Sequence, residues 1–337
     1  MKVLFLPNNT ASLMNLSVSA LRDKGVDAVG FNFTPMKFQT NSEVHTLPDD
    51  FFQRIIFVME FIYNLLTCDR IHWIYGGNSK LGIALQYFVG LFVWKKKFVE
   101  FCGTDVRILE KIIEDVPDYR SKKFSLEQER LLGTKVTSLK TQQRFSLLKF
   151  EALGNSPEIM DYIDQRLFPV SYEIPRAIDT MNLKPVKVSN KIPVVIHLPS
   201  SPEIKGTEIV NLVCHELAEK DVIQFRNLHG LSHREVLEEM KRSDVVIDQL
   251  LIGEFGVVTL EALALNKKVV CFLRPGIEQA YRKRFPSFPV VNANAANLKE
   301  ILLKLVSSSH ELDSNNFIET NYSRAARANR LLEIYRK

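Results

Sequence analysis

The stretch D-V-V-I-D-Q-L-L-I-G-E-F-G-V-V-T-L-E-A-L-A-L-N-K-K-V-V-C-F-L, Asp244 to Leu273, decides how this chain is read. An apolar run, Val245 to Ile247, ends in Asp248 and Gln249. The loop Gly253-Glu254-Phe255-Gly256 follows, then a helical pattern carrying Glu261 and a second apolar run, Val269 to Leu273. Strand, loop, helix and strand in that order make the βαβ unit of a parallel sheet. Ligands of such sheets sit beyond the carboxyl ends of the strands, so chemistry is expected from Asp248 through Gly256. The helix N-terminus there offers N–H groups and a positive dipole end, which suit a phosphate.

Outward from this unit, strand and helix alternate along most of the chain. Strands are expected at Val3 to Leu6, Val26 to Phe33, Arg70 to Tyr75, Lys97 to Phe101, Val194 to His197, Val222 to Phe225 and Pro289 to Val291. Helices are expected between them, among them Phe51 to Leu66, Leu81 to Val93, Thr207 to Lys220 and Ser232 to Lys241. Ser232 and Glu235 make a capping box. Lys111 to Arg144 is charged and gives no clean pattern. Pro169 to Pro193 holds four prolines and little periodicity, the composition of an interdomain linker. The expected architecture is α/β, with two Rossmann-like domains. The first takes residues 1–170, a linker 171–191, the second 192–315, and a final helix 316–337 packs back on the first domain.

Length and composition agree. A chain of 337 residues, 46% apolar and 25% charged, has room for two domains of soluble globular type. A net charge of +5 is too weak to indicate nucleic acid, but it suits an anionic substrate or an anionic membrane surface. The four cysteines, Cys68, Cys102, Cys214 and Cys271, show neither C-x-x-C nor metal spacing, which points to reduced thiols in a reducing, cytoplasmic compartment. Met1 to Pro7 is too short an apolar stretch for a signal peptide, and no uncharged apolar run reaches the roughly 18 residues of a spanning helix. No D-x-D, H-E-x-x-H or G-x-S-x-G supports a metal or hydrolase reading.

His197-Leu-Pro-Ser-Ser-Pro-Glu-Ile-Lys205-Gly206-Thr207, together with the Asp244 to Leu273 unit, resembles the donor-binding domain of family 4 glycosyltransferases. Phe101-Cys-Gly-Thr-Asp-Val-Arg107 is similar to an H-G-S-D-V-R segment of some bacterial members. The resemblance implies a GT-B architecture, two Rossmann-like domains facing across a cleft, crossed by the closing helix. It also implies a retaining transfer from a nucleotide sugar with no metal or other cofactor. The acceptor would be a glycan or lipid-linked hydroxyl of bacterial surface polysaccharide or glycolipid assembly.

Residue by residue, Lys205 would place its ammonium against the diphosphate beside the N–H groups of Gly206 and Thr207, with a solvated surface lysine as the other reading. By resemblance Glu261 binds the ribose hydroxyls; otherwise it is an ordinary carboxylate near a helix N-terminus. The backbone of Phe255, Gly256, Val257 and Val258 would cradle phosphates, and His229 and Gly230 would offer groups to the base. The family's E-x7-E pattern is broken, since Gly253 stands eight before Glu261; Glu254 then either serves the donor sugar or is a solvated loop charge. Ser200 replaces an arginine five before Lys205. Cys102 replaces the motif histidine and reads better as packing than catalysis. Asp105 and Arg107 would orient sugar or acceptor, or pair with each other structurally. Asn8, Asn9 and Thr10 would face the diphosphate or simply cap a helix, while Gly76, Gly77, Asn78 and Gly103 would line the acceptor side. His197 is as well explained by the core as by a ligand. The aromatics and three lysines of Leu81 to Phe98 suit peripheral contact with an anionic inner membrane, or a buried helix with a solvated lysine turn. Two rival functions remain open: a non-catalytic nucleotide-sugar binder or partner subunit, and a GT-B epimerase.

Overall fold

Among the described residues the apolar runs become twelve strands in two all-parallel sheets. The computed structural model describes residues 1–34, 42–75, 79–115, 125, 129, 133–181, 183–308 and 313–337. The first sheet holds β1 (Lys2–Pro7), β2 (Asp27–Asn32), β3 (His45–Thr46), β4 (Arg70–Ile74), β5 (Lys96–Phe101), β6 (Phe150–Gly154) and β7 (Ser171–Glu173), in the order β3-β2-β1-β4-β5-β6-β7. The second holds β8 (Val194–His197), β9 (Gln224–Asn227), β10 (Val245–Ile247), β11 (Lys268–Cys271) and β12 (Val290–Asn292), in the order β12-β11-β10-β8-β9. Each order reverses direction once, between β1 and β4 and between β8 and β10. Such a reversal opens a crevice at the carboxyl ends of the two strands.

Burial follows from covering both faces. Val3 to Leu6 and Val245 to Ile247 are wholly buried. The expected βαβ unit is present, with Val245 opposite Lys268 and Ile247 opposite Val270. Ser232 and Glu235 form their capping box at the start of helix His233–Arg242. Gly25, at φ 75°, lies just past helix Leu13–Arg22 and supplies the left-handed residue on which the chain leaves it.

The chain divides into two units, one gathering Met1–Leu109, Gly133–Ala177 and Arg324–Lys337, the other Glu110–Leu132 and Ile178–Ser323. This departs from the expected boundaries in three places. Part of 110–132 goes with the second unit rather than with residues 1–170. The stretch read as linker, 171–191, contributes to both cores: β7 pairs with β6 and Ile174 joins the first core, while Ile178 and Leu183 join the second. A three-residue strand among prolines is too short to show a period. Finally, the single closing helix is two, Ser314–Asn321 in the second unit and Arg324–Tyr335 in the first. They break at Tyr322, whose ring packs on Phe255 and Phe317 while its carbonyl accepts the Ile178 N–H.

Helix Arg324–Tyr335 is bound to the first sheet by a buried polar network. Arg327 spans the Glu100 carboxylate with two bonds of 3.1 and 2.6 Å and gives its Nε–H to Ser17 Oγ at 2.7 Å. His72 lies 3.0 Å from the same carboxylate through Nε2, and 2.5 Å from Tyr335 Oη through Nδ1. Burial lowers the His72 pKa, so the ring is neutral; Nε2–H donates to Glu100 and Nδ1 accepts from Tyr335. Burial also pushes Glu100 upward, but Arg327 and His72 outweigh it and hold the carboxyl at about 2. Among the described residues no helix is long and apolar enough to cross a membrane.

Candidate functional site

Because β8 and β10 are neighbours, the loops that leave them start side by side. After β8 the chain passes the exposed Ser200 and makes the short helix Pro202–Lys205. Gly206 ends it at φ 72°, where a Cβ would lie 3.1 Å from the Leu250 side chain; glycine lets the two loops close up. Lys205 Nζ then donates to Asp248 Oδ1 at 2.5 Å. The other carboxylate oxygen accepts the Gly256 N–H at 2.5 Å and the Thr259 hydroxyl at 2.9 Å. Gly256 caps helix Val257–Ala264, so Asp248 sits where that helix points its unpaired N–H groups. Three donors from two segments converge on one carboxylate, which makes this position a seat for an anion, here the chain's own Asp248. Burial pushes Asp248 upward, but Lys205, Gly256 and Thr259 outweigh it and hold its carboxyl below the usual range.

Gln249 shapes the loop beneath this seat. Its Nε2 donates to the carbonyls of Glu254 (2.9 Å) and Phe272 (2.7 Å), and its Oε1 accepts the N–H groups of Leu251 (2.8 Å) and Ile252 (2.7 Å). One buried amide thereby satisfies a turn that would otherwise bury unmet backbone groups. His197 is a core residue: Nδ1–H donates to the Ile247 carbonyl and Nε2 accepts from the Thr207 hydroxyl, both at 2.9 Å. Burial takes its pKa down to about 4, so it stays neutral.

Several expectations need correction here. Glu254 is buried, accepting the Phe255 N–H at 2.9 Å and the Tyr281 hydroxyl at 3.2 Å, so it is not a solvated charge. The N–H groups of Phe255 and Gly256 are taken by the Glu254 and Asp248 carboxylates, and the Phe255 ring packs on Tyr281 in the core. Of the expected phosphate cradle, Phe255 drops out, while Gly256, Val257 and Val258 stand at the cap and in the first turn of their helix. His229 and Gly230 lie exposed after β9. Glu261, one turn into helix Val257–Ala264, accepts from His233 Nε2 at 2.6 Å. Neither His233 nor Thr259 stood out in the sequence, because their partners are far away along it.

In the first unit, the loop after β1 is built by its asparagines. Asn8 Oδ1 accepts from the Thr34 hydroxyl, and Asn9 Oδ1 accepts the Asn15 N–H at 3.0 Å, so Asn9 acts on the next helix; Thr10 opens a short 3-10 turn. Ala11 (φ 47°), Ser12 (φ 60°) and Tyr75 (φ 66°) are left-handed non-glycine residues at the ends of β1 and β4. Strained backbone therefore gathers at this unit's own switch point, where loops of parallel sheets carry function. The expected Gly76, Gly77 and Asn78 lie outside the described residues. Beyond β5, Asp105 accepts the N–H groups of Cys102 (3.1 Å) and Gly103 (2.8 Å), closing the loop. Arg107 is buried with Glu158 in a two-bond ion pair of 2.8 and 3.2 Å. Both residues are thus engaged in holding the loop and its surroundings, and the Asp105 carboxylate also acts electrostatically on the Arg107 guanidinium. The Cys102 thiol packs against the core, its pKa pushed well up by burial.

No family model and no curated protein matches the chain. Solved structures do. Sucrose-phosphate synthase from Thermosynechococcus elongatus superposes with a TM-score of 0.64 at 11% identity, over 100% of this chain and 98% of that one. The fold is that of the GT-B glycosyltransferases. WaaG, a glycosyltransferase involved in lipopolysaccharide biosynthesis, gives 0.55 at 12% identity over 99% of each chain. AviGT4, a glycosyltransferase involved in avilamycin A biosynthesis, gives 0.55 at 11% identity, over 100% of this chain and 97% of that one. At such identities the likeness concerns the GT-B fold alone, and function has to be argued from the site.

Proposed function

We propose that the chain is a glycosyltransferase that moves a sugar from a nucleotide-sugar donor to a hydroxyl of a glycan or lipid-linked acceptor. The observation that carries this reading is the convergence of the Lys205 ammonium, the Gly256 N–H and the Thr259 hydroxyl on one anion position. A diphosphate there takes over these donors from Asp248. As the bond between the sugar and the phosphate oxygen breaks, negative charge grows on the leaving diphosphate. Lys205 and the helix N-terminus meet that charge with groups already oriented, and the proposal invokes no metal. Glu261, on the same helix, is proposed to hold the ribose hydroxyls, and retention of anomeric configuration is proposed from the family resemblance. The proposed setting is the cytoplasmic side of a membrane.

Incubation with UDP-, GDP- and ADP-sugars and a candidate acceptor tests the reading: transfer, or slow donor hydrolysis, is the expected result. A donor that binds without turnover supports the second reading, a nucleotide-sugar-binding partner subunit. That reading is favoured by Asp248 cancelling the Lys205 charge, by the uncharged Ser200 and by the buried Glu254. Failure of every nucleotide to bind ends both.

The His233–Glu261 pair predicts a pH effect. The hydrogen bond to Glu261 raises the His233 pKa above 6.5, partial burial opposing it. The charged pair is therefore complete below pH 6.5 and is lost as pH rises through the raised value. A protonated His233 competes with ribose for Glu261, so nucleotide affinity is expected to rise severalfold between about pH 6 and 8. In His233→Ala that slope should flatten. Titration calorimetry at three pH values reads it, and an unchanged slope in the variant removes Glu261 from the ribose.

A further inference from the structure

Helix Phe51–Thr67 has two apolar sides. One, formed by Phe57, Phe61 and Leu65, is buried, and Phe57 and Phe61 meet the edges of the Phe31 and Phe33 rings. The other is turned away from it. Phe52, Ile55, Met59, Ile62 and Leu66 follow one another at steps of three and four residues, the heptad spacing along which one helix seats against another. Four of the five are exposed, Phe52 at 74% and Met59 at 66%, and Ile62 is half-buried. Near the C-terminal end of this helix, the turn after helix Lys80–Gly90 exposes Leu91, Val93 and Trp94. Lys95 ties turn to helix, donating to the carbonyls of Leu66 (3.0 Å) and Cys68 (2.5 Å). The helix exposes eight large apolar side chains and the turn three. At roughly 100 Å² apiece they offer on the order of 1,000 Å², against the roughly 800 Å² that each side of a stable protein interface buries.

Charge along the helix decides what covers this face. Its N-terminal end is acidic: Asp49 and Asp50 are exposed there, with Arg54 3.9 Å from Asp49. Its C-terminal end is basic. Lys2 donates to Thr67 Oγ1 at 2.9 Å, Lys95 to the two carbonyls, and Arg70 follows, with Asp69 as the carboxylate beside them. Between the ends, Glu60 pairs with His45 at 3.2 Å. A surface whose sign reverses along its length meets a partner of one charge with attraction at one end and repulsion at the other. It is complementary to itself turned round. A second copy, related by a two-fold axis at Met59, the middle residue of the helix, sets each acidic end on a basic end and lays the helix dipoles antiparallel. The same operation brings the Leu91 to Trp94 turn of one protomer to the first turn of its partner's helix. A parallel pairing would stack like charge on like.

We propose that the outer face of helix Phe51–Thr67 and the Leu91 to Trp94 turn form the interface of a two-fold symmetric homodimer, its paired helices antiparallel. The surface lies in the first unit and its pairing needs no nucleotide, so this inference stands or falls apart from the proposed donor chemistry.

The test is sedimentation velocity of the full chain over a range of concentrations, where a dimer is expected at tens of micromolar. Met59→Lys sets two ammonium groups against each other at the axis and should raise the dimer Kd about a hundredfold or more. Phe52→Ser, which removes apolar area alone, should raise it about tenfold. Both side chains are exposed, so thermal unfolding of the dissociated variants should show the chain still folded. Asp49→Lys reads the orientation, because only antiparallel helices place that residue on a basic end. It should weaken the dimer about fivefold at low salt and little at high salt. Four results would each overturn the proposal: a monomer at tens of micromolar, a dimer indifferent to Met59→Lys and Phe52→Ser, a dimer that Asp49→Lys leaves unweakened at low salt, or a monomer that binds phosphatidylglycerol vesicles through the same side chains.

Discussion

Arg327→Ala is expected to cost about 3–5 kcal/mol of stability, the usual effect of removing one partner from a buried ion pair. The guanidinium is wholly buried, and it is held by Glu100, by Ser17 Oγ and by the Pro175 carbonyl. Its loss strands the Glu100 carboxylate in a place without water. Urea unfolding across pH separates this cause from a simple cavity. In the native chain Glu100 sits at about 2 rather than 4.5, so its contribution is fully present above pH 4.5 and drains away as pH falls towards 2. In the variant burial acts with less opposition, the carboxyl pKa rises, and protonation relieves the stranded charge. The deficit should therefore be largest near neutrality and shrink in acid. A second check is Glu100→Gln in the Arg327→Ala background, which should recover part of the loss. A deficit independent of pH would mean that packing, not charge, is what Arg327 supplies.

The second large effect lies in the anion seat, where two substitutions should move nucleotide affinity in opposite directions. Lys205→Ala removes the charge-assisted bond proposed to the phosphate, worth about 1.5–3 kcal/mol, which is roughly 10- to 100-fold in affinity. Asp248→Asn keeps the shape of the side chain but removes the carboxylate that fills the seat. At about 5 Å and an effective dielectric near 20, a carboxylate repels a phosphate charge by about 3 kcal/mol. Some of this is lost again because Lys205 is less well held, so a gain of roughly tenfold is expected. Titration with UDP, GDP and ADP reads both. If the two substitutions weaken binding alike, Asp248 orients Lys205 for the ligand rather than competing with it.

How much of this was legible beforehand differs between fold and site. The unit from Asp244 to Leu273 was readable because its strands are continuous apolar runs bounded by turn residues, a pattern local to the chain. The capping box of Ser232 and Glu235 was readable for the same reason, since both partners lie within one turn. By contrast, Lys205 and Asp248 are 43 residues apart, and His233 and Glu261 are 28 apart. Nothing in local composition records such pairings, so the lysine was seen as a phosphate ligand without the carboxylate that already occupies it. Glu254 was misjudged because a charged residue beside glycines looks solvated, whereas Tyr281 and the Phe255 N–H receive it under the loop. The seventh strand of the first sheet and the break at Tyr322 escaped because three residues carry no period and because two short helices in sequence look like one.

The helix that carries Arg327 also orders events in time. The ribosome makes β1 to β7 early, but Arg324–Tyr335 emerges only after the whole of Ile178–Ser323. Until then His72 and Glu100 on the nascent sheet have neither Tyr335 nor Arg327 to meet them. The amino-terminal half of this protein therefore matures last, and during synthesis it waits, with one face uncovered, for a segment encoded beyond its neighbour.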